Sequence, residues 1–83
     1  MQQDLKYINK SLEKSFKILE ILSKSIFPLK ASNISRKAVL SRTTTFRLLS
    51  VLSQLGYIHK NTGTNTYTMG PKAFQFGETS DYL

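Results

Sequence analysis

Leu40-Ser41-Arg42-Thr43-Thr44-Thr45-Phe46-Arg47-Leu48-Leu49, continuing to Leu52, Leu55, Gly56 and Tyr57, joins a helix start, a cationic first turn and an apolar stripe at helical spacing. Ser41 is a favoured N-cap, because its hydroxyl accepts an N–H that a helix's first turn leaves without a partner. Thr45, Leu48, Leu49 and Leu52 recur at three- and four-residue steps. They predict one buried face on a helix of about 42–54, with Leu55 closing its end. Gly56 supplies the stop. Such a helix buries its leucines and leaves guanidinium and hydroxyl groups outside, which is what entry into a DNA major groove requires.

Upstream, Leu12, Phe16, Leu19 and Leu22, widened by Ile18 and Ile21, predict an amphipathic helix over about 10–25. Glu13–Lys17 and Glu20–Lys24 are i,i+4 pairs in the favourable order. Pro28 ends it, since the residue before a proline is driven out of the helical region. A short helix fits 31–38, with Ile34 and Ala38 inward and Ser35, Arg36 and Lys37 outward, and Val39-Leu40 forms the turn. Downstream, residues 57–60 and 65–69 are β-type runs around the turn-rich Asn61-Thr62-Gly63-Thr64, a hairpin pattern. Gly70-Pro71 breaks the chain, and Pro71 suits the first turn of another helix over 72–83. The expected class is mainly α with a small β-hairpin: a winged helix-turn-helix, three helices plus wing, followed by a linker helix. Residues 1–9 then form an N-terminal arm, 10–70 the winged domain, and 71–83 the start of the linker.

Charge narrows the partner. Twelve basic residues face five acidic ones, giving net +7 in 83 residues, and no Asp or Glu lies between Glu20 and Glu78. One-sided charge of this kind favours a polyanion. The chain has no cysteine and one histidine, so neither a disulfide frame nor a thiolate metal site is on offer. No paired acids, metal cluster or phosphate-cradling glycine loop can be assembled from 21–77, which points away from an enzyme and calls for no cofactor. No apolar run reaches ~18 residues, and Met1–Lys10 lacks the apolar stretch of a signal peptide, so a cytoplasmic protein is expected.

Several motifs in one order resemble the isocitrate-lyase-regulator (IclR-type) transcription factors. Ser11-Leu12-Glu13-Lys14-Ser15-Phe16-Lys17-Ile18-Leu19 is similar to their opening helix, and Leu40–Leu49 to their recognition helix. Leu55-Gly56-Tyr57-Ile58, Tyr67-Thr68-Met69-Gly70-Pro71-Lys72 and Phe76-Gly77 resemble their wing and the start of their linker. The resemblance implies a bacterial or archaeal DNA-binding regulator acting as a dimer or tetramer. It also implies a C-terminal domain that binds a small metabolite, expected to lie outside these 83 residues. Three positions depart from the pattern. Val39 stands at the usual turn glycine, Lys30 at the usual Ser/Thr cap of the second helix, and Phe46 where a polar residue is commoner.

Within this frame Arg42, Thr43, Thr44, Phe46 and Arg47 are the candidate DNA contacts on the recognition helix. Arg36 and Lys37 are candidates for phosphate, and Lys60 is the single cation of the wing. A guanidinium either grips guanine O6 and N7 or holds phosphate, and the resemblance assigns Arg47 to phosphate or the groove edge. Phe46 either lies on a thymine methyl or is an ordinary half-buried ring. Leu5, Tyr7 and Ile8 in the arm and Phe74, Phe76 and Tyr82 in the tail are expected to pair two copies of the chain. The alternative reading is a winged-helix module that packs on an acidic protein partner.

Overall fold

Four helices and a three-stranded antiparallel sheet make up residues 10–80, the part of the chain described in this computed structural model. The elements are α1 (Lys10–Lys24), β1 (Leu29–Lys30), α2 (Ala31–Ala38), α3 (Arg42–Leu55), β2 (Ile58–Asn61), β3 (Thr66–Met69) and α4 (Pro71–Ser80). The core packs Ile18 and Leu22 of α1 and Ile34 of α2 against Leu48, Leu49 and Leu52 of α3, closed by Ile58 and Tyr67 of the sheet. This is a winged helix-turn-helix, with α2 and α3 as the two-helix motif and β2–β3 as the wing.

Helix α3 follows the expected plan. The Ser41 hydroxyl accepts the Thr44 N–H at 3.1 Å, and Thr45, Leu48, Leu49 and Leu52 are buried. Thr45 spends its hydroxyl on the Ser41 carbonyl at 2.8 Å, so a polar group sits in the core without an unmet hydrogen bond. Gly56 ends the helix at φ 91, a left-handed conformation that a glycine adopts without steric cost.

Four features depart from the sequence-based picture. The sheet gains a third strand, β1, which pairs with β3 through Leu29–Tyr67 and Lys30–Thr66, so the order is β1-β3-β2. In α1 the buried side chains are Ile18 and Leu22, whereas Leu12 and Phe16 are about half exposed. Leu55 likewise stays exposed. Ser35, expected outside, is buried; its hydroxyl donates to the Leu40 carbonyl at 2.6 Å while Leu40 N–H returns to the Ser35 carbonyl at 3.0 Å. These two hydrogen bonds across the turn hold Val39 at φ 56, a conformation L-residues with a branched Cβ seldom take.

The end of the wing returns to the end of α3 at Gly70. Its N–H donates to the Tyr57 carbonyl at 2.8 Å, and Lys72 N–H donates to the Gly56 carbonyl at 3.1 Å. A Cβ on Gly70 would stand 2.9 Å from Ile58 N and Tyr57 C, and nearer still to the Gly56 oxygen. Only glycine fits, and α4 is thereby pinned to the wing. Among the described residues no helix is long and apolar enough to cross a membrane. The arm residues Leu5, Tyr7 and Ile8, and Tyr82 in the tail, lie outside the described residues.

Candidate nucleic-acid interface

The 3.6-residue turn of α3 sorts its exposed side chains around one arc. Arg42 lies at one edge, Phe46, Ser50 and Thr43 follow across the middle, and Arg47 lies roughly 140° from Arg42. All five are exposed. Thr44 is half-buried, and its N–H is already taken by the Ser41 hydroxyl, so this first turn keeps fewer free donors than an uncapped helix end. Ser50 belongs to the same surface, although the sequence reading passed over it; its i+4 spacing from Phe46 was the available signal.

Beside the Arg42 edge opens a cleft of about 450 Å³, lined by Lys30, Arg42, Phe46, Lys60 and the wing residues Thr64 and Asn65 among others. Lys60 reaches it because its strand position pairs with Tyr67, whose ring faces the core, and Lys60 Nζ stands 5.8 Å from that ring's centroid. Attraction between the ammonium and the ring face holds the cation on the helix side of the wing. Asn61 spends its side-chain oxygen on the N–H groups of Gly63 (2.9 Å) and Thr64 (3.3 Å), so it shapes the wing tip. Lys30 arrives from the unforeseen strand β1, which is why composition alone left the wing with one cation.

The α2 candidates separate. Arg36 is exposed and donates to the Asn33 side-chain oxygen at 2.9 Å, which steers its guanidinium along its own helix. Lys37 borders a different depression, with Ile21, Lys24, Ser25 and Leu29. Phe74 and Phe76 are both exposed, and Phe76 stacks on Tyr57 with centroids 5.6 Å apart and planes 14° from parallel. Phe76, Tyr57, Leu55, Leu12 and Phe16 line a shallow groove that carries no charged side chain. Among the described residues no group of His, Cys, Asp or Glu is placed to hold a metal.

Comparison with known proteins gives a consistent result. Residues 11–62 match the model of the IclR helix-turn-helix domain. The HTH-type transcriptional regulator XynR of Escherichia coli (strain K12) is 33% identical over 70 residues, which is 84% of this chain and 28% of that protein. Among solved structures, the IclR transcriptional regulator from Alicyclobacillus acidocaldarius superposes with a TM-score of 0.79 at 20% identity, over 84% of this chain and 28% of that one. The Agobacterium tumefaciens repressor BlcR gives 0.75 at 22% identity, over 83% of this chain and 27% of that one. At such identities the structural likeness speaks to the fold, and the chain spans little more than a quarter of each relative's length.

Proposed function

The chain belongs to the IclR helix-turn-helix family, and from that premise we propose that it binds double-stranded DNA sequence-specifically as the DNA-binding part of a transcriptional regulator. Helix α3 enters the major groove, with Thr43, Phe46 and Ser50 toward the bases. Arg42 also takes part in base reading, and Arg47 grips phosphate on the far edge. The wing, residues 60–66, lies on the backbone or minor groove, and Arg36 adds a phosphate contact from α2. Thr44 is demoted to a supporting hydroxyl, and Lys37 to a distant cation that adds only long-range attraction.

The observation that carries this reading is the exposed arc of α3, built of arginine, hydroxyl and aromatic side chains in a stretch of 57 residues, Ile21 to Gly77, without one carboxylate. With ~6–10 phosphates neutralised per complex, raising salt from about 50 to 200 mM weakens binding by ~10³–10⁵. A flat response, or no binding to random duplex at low salt, transfers the proposal to a protein partner. Arg47→Ala is expected to weaken all duplexes alike. Arg42→Ala also flattens base preference by ~1–3 kcal/mol. Equal losses on every sequence for both changes would remove the division between the two arginines.

We assign the uncharged groove of Leu12, Phe16, Leu55 and Phe76 to a second copy of this chain. It lies at the C-terminal end of α3, so pairing there leaves the Arg42 end free. Two recognition helices then meet half-sites about one helical turn, ~34–36 Å, apart or a multiple of it. The arm and tail residues Leu5, Tyr7, Ile8 and Tyr82 extend the same pairing in this proposal, with 10–70 as the DNA-binding unit and 71–83 as the start of a linker. A metabolite-binding domain beyond the linker supplies regulation, and the whole acts where the genome is, in the cytoplasm.

A further inference from the structure

All five phenylalanines of the chain are exposed, and four of them share apolar surroundings. Phe16 and Phe76 line one groove, and Phe27 and Phe74 line another. Phe46 stands apart. It is the one aromatic side chain of α3, and it borders the cleft beside the wing with Arg42, Thr64 and Asn65. Of its neighbours one turn away on the helix, Arg42, Thr43 and Ser50 are exposed and polar, and Leu49 is buried in the core. Phe46 therefore stays 51% exposed on a face otherwise made of cations and hydroxyls. No apolar side chain on the surface of α3 is placed beside it to share that exposure.

A phenyl ring has no N–H or O–H, so it can neither grip a phosphate nor donate to a base-edge acceptor. In the major groove the base edges present donors, acceptors and one apolar group, the C5-methyl of thymine. Covering that methyl takes apolar surface of both partners out of water. Uracil and cytosine carry only hydrogen at C5, whereas 5-methylcytosine carries the methyl in the same place. We propose that Phe46 reads a C5-methyl group, so that one position of the bound sequence prefers thymine to uracil and 5-methylcytosine to cytosine. The inference rests on the duplex-DNA reading and gives it a consequence: a cytosine at that position binds more tightly once it is methylated.

The test begins with the duplex that the 83-residue chain itself selects from a random pool. Each thymine in it is replaced in turn by uracil, which deletes the methyl and leaves the pairing edge unchanged. One thymine position is expected to lose about fourfold in affinity per methyl deleted, the worth of one buried methyl. With cytosine placed there instead, 5-methylation is expected to tighten binding by about the same fourfold. Both effects are expected to vanish in Phe46→Gln, which removes the ring from an exposed helical position and keeps the melting temperature within a few degrees. A uracil scan that costs nothing at any position overturns the proposal. So does a fourfold loss that Phe46→Gln retains, because another side chain would then hold the methyl. A Phe46→Gln chain that weakens on every duplex alike, with the uracil penalty intact, places the ring on the sugar and overturns it too. If the unsubstituted chain binds no duplex at low salt, the DNA reading itself fails. Tight duplex binding with a flat uracil scan sinks the methyl reading alone.

Discussion

Helix α3 begins in a cleft with Lys30, Lys60 and Thr64, and it ends in a groove with Leu12, Phe16, Tyr57 and Phe76. Both regions are open to solvent, and both are built on the same helix with the same leucine stripe beneath it. The first carries cations and hydroxyls, and the second has no charged side chain. Arg42 and Leu55 are separated by ~20 Å of helix rise, so a ligand at one end does not obstruct the other. The contrast teaches that an amphipathic helix can be divided along its axis as well as around it. The circumference separates core from surface, and the length separates a face for a polyanion from a face for another apolar surface.

The comparison is broken most completely at the joint that both regions share. Gly70→Ala puts a methyl group onto the backbone at Gly56, Tyr57 and Ile58, which rigid main chain cannot accommodate without shifting the wing and α4 together. The expected cost is about 3 kcal/mol, seen in thermal unfolding as a loss of roughly 12–24 °C. A melting temperature within 2–3 °C of the original would show that the two regions do not depend on this crossing. A second change removes one region and spares the other. Phe16→Glu places a charge in the uncharged groove at an exposed position, so the fold is expected to survive. Sedimentation should then report monomer, and affinity for a paired half-site should fall by ~10²-fold or more as the second contact is lost. Affinity for an isolated half-site should hold. If self-association persists, the groove is not the pairing surface.

The smallest expected effect sharpens the comparison by touching neither region. Val39 is exposed and held at φ 56, where a β-branched residue is strained by ~1–2 kcal/mol and glycine is not. Glycine gives back part of that as backbone entropy, ~0.5–1 kcal/mol. Val39→Gly should therefore stabilise the protein by about 0.5–1 kcal/mol, a rise of a few degrees in melting temperature, with DNA affinity unchanged. A drop in stability would mean that the turn gains something from the valine side chain.

These positions also show where sequence reading succeeds and where it stops. The cap, stripe and stop of α3 are local patterns, and Ser41, Leu48, Leu49, Leu52 and Gly56 all take the expected places. The apolar stripe of α1 is broader than its buried face, since apolar spacing cannot tell a core wall from an exposed apolar groove, and Leu12 and Phe16 fall on the groove. The burial of Ser35 is not legible in local spacing, because its partner, the Leu40 carbonyl, becomes available only when the turn closes. Strand β1 is two residues long and carries no periodic signal; it exists because β3 offers it an edge.

The order of residues by itself determined the helices, the hairpin, the family and the acid-free interval, because each is written in near-neighbour spacing or in charge count. Tertiary structure alone decided which cations meet. Lys30, Arg42 and Lys60 are far apart along the chain, and nothing local relates them. Pairing of β1 and β2 on either side of β3, with α3 packed against the sheet, brings these residues to the lining of one cleft. Electrostatic attraction depends on distance in space, so the number of positive charges was legible from the start and their convergence was not.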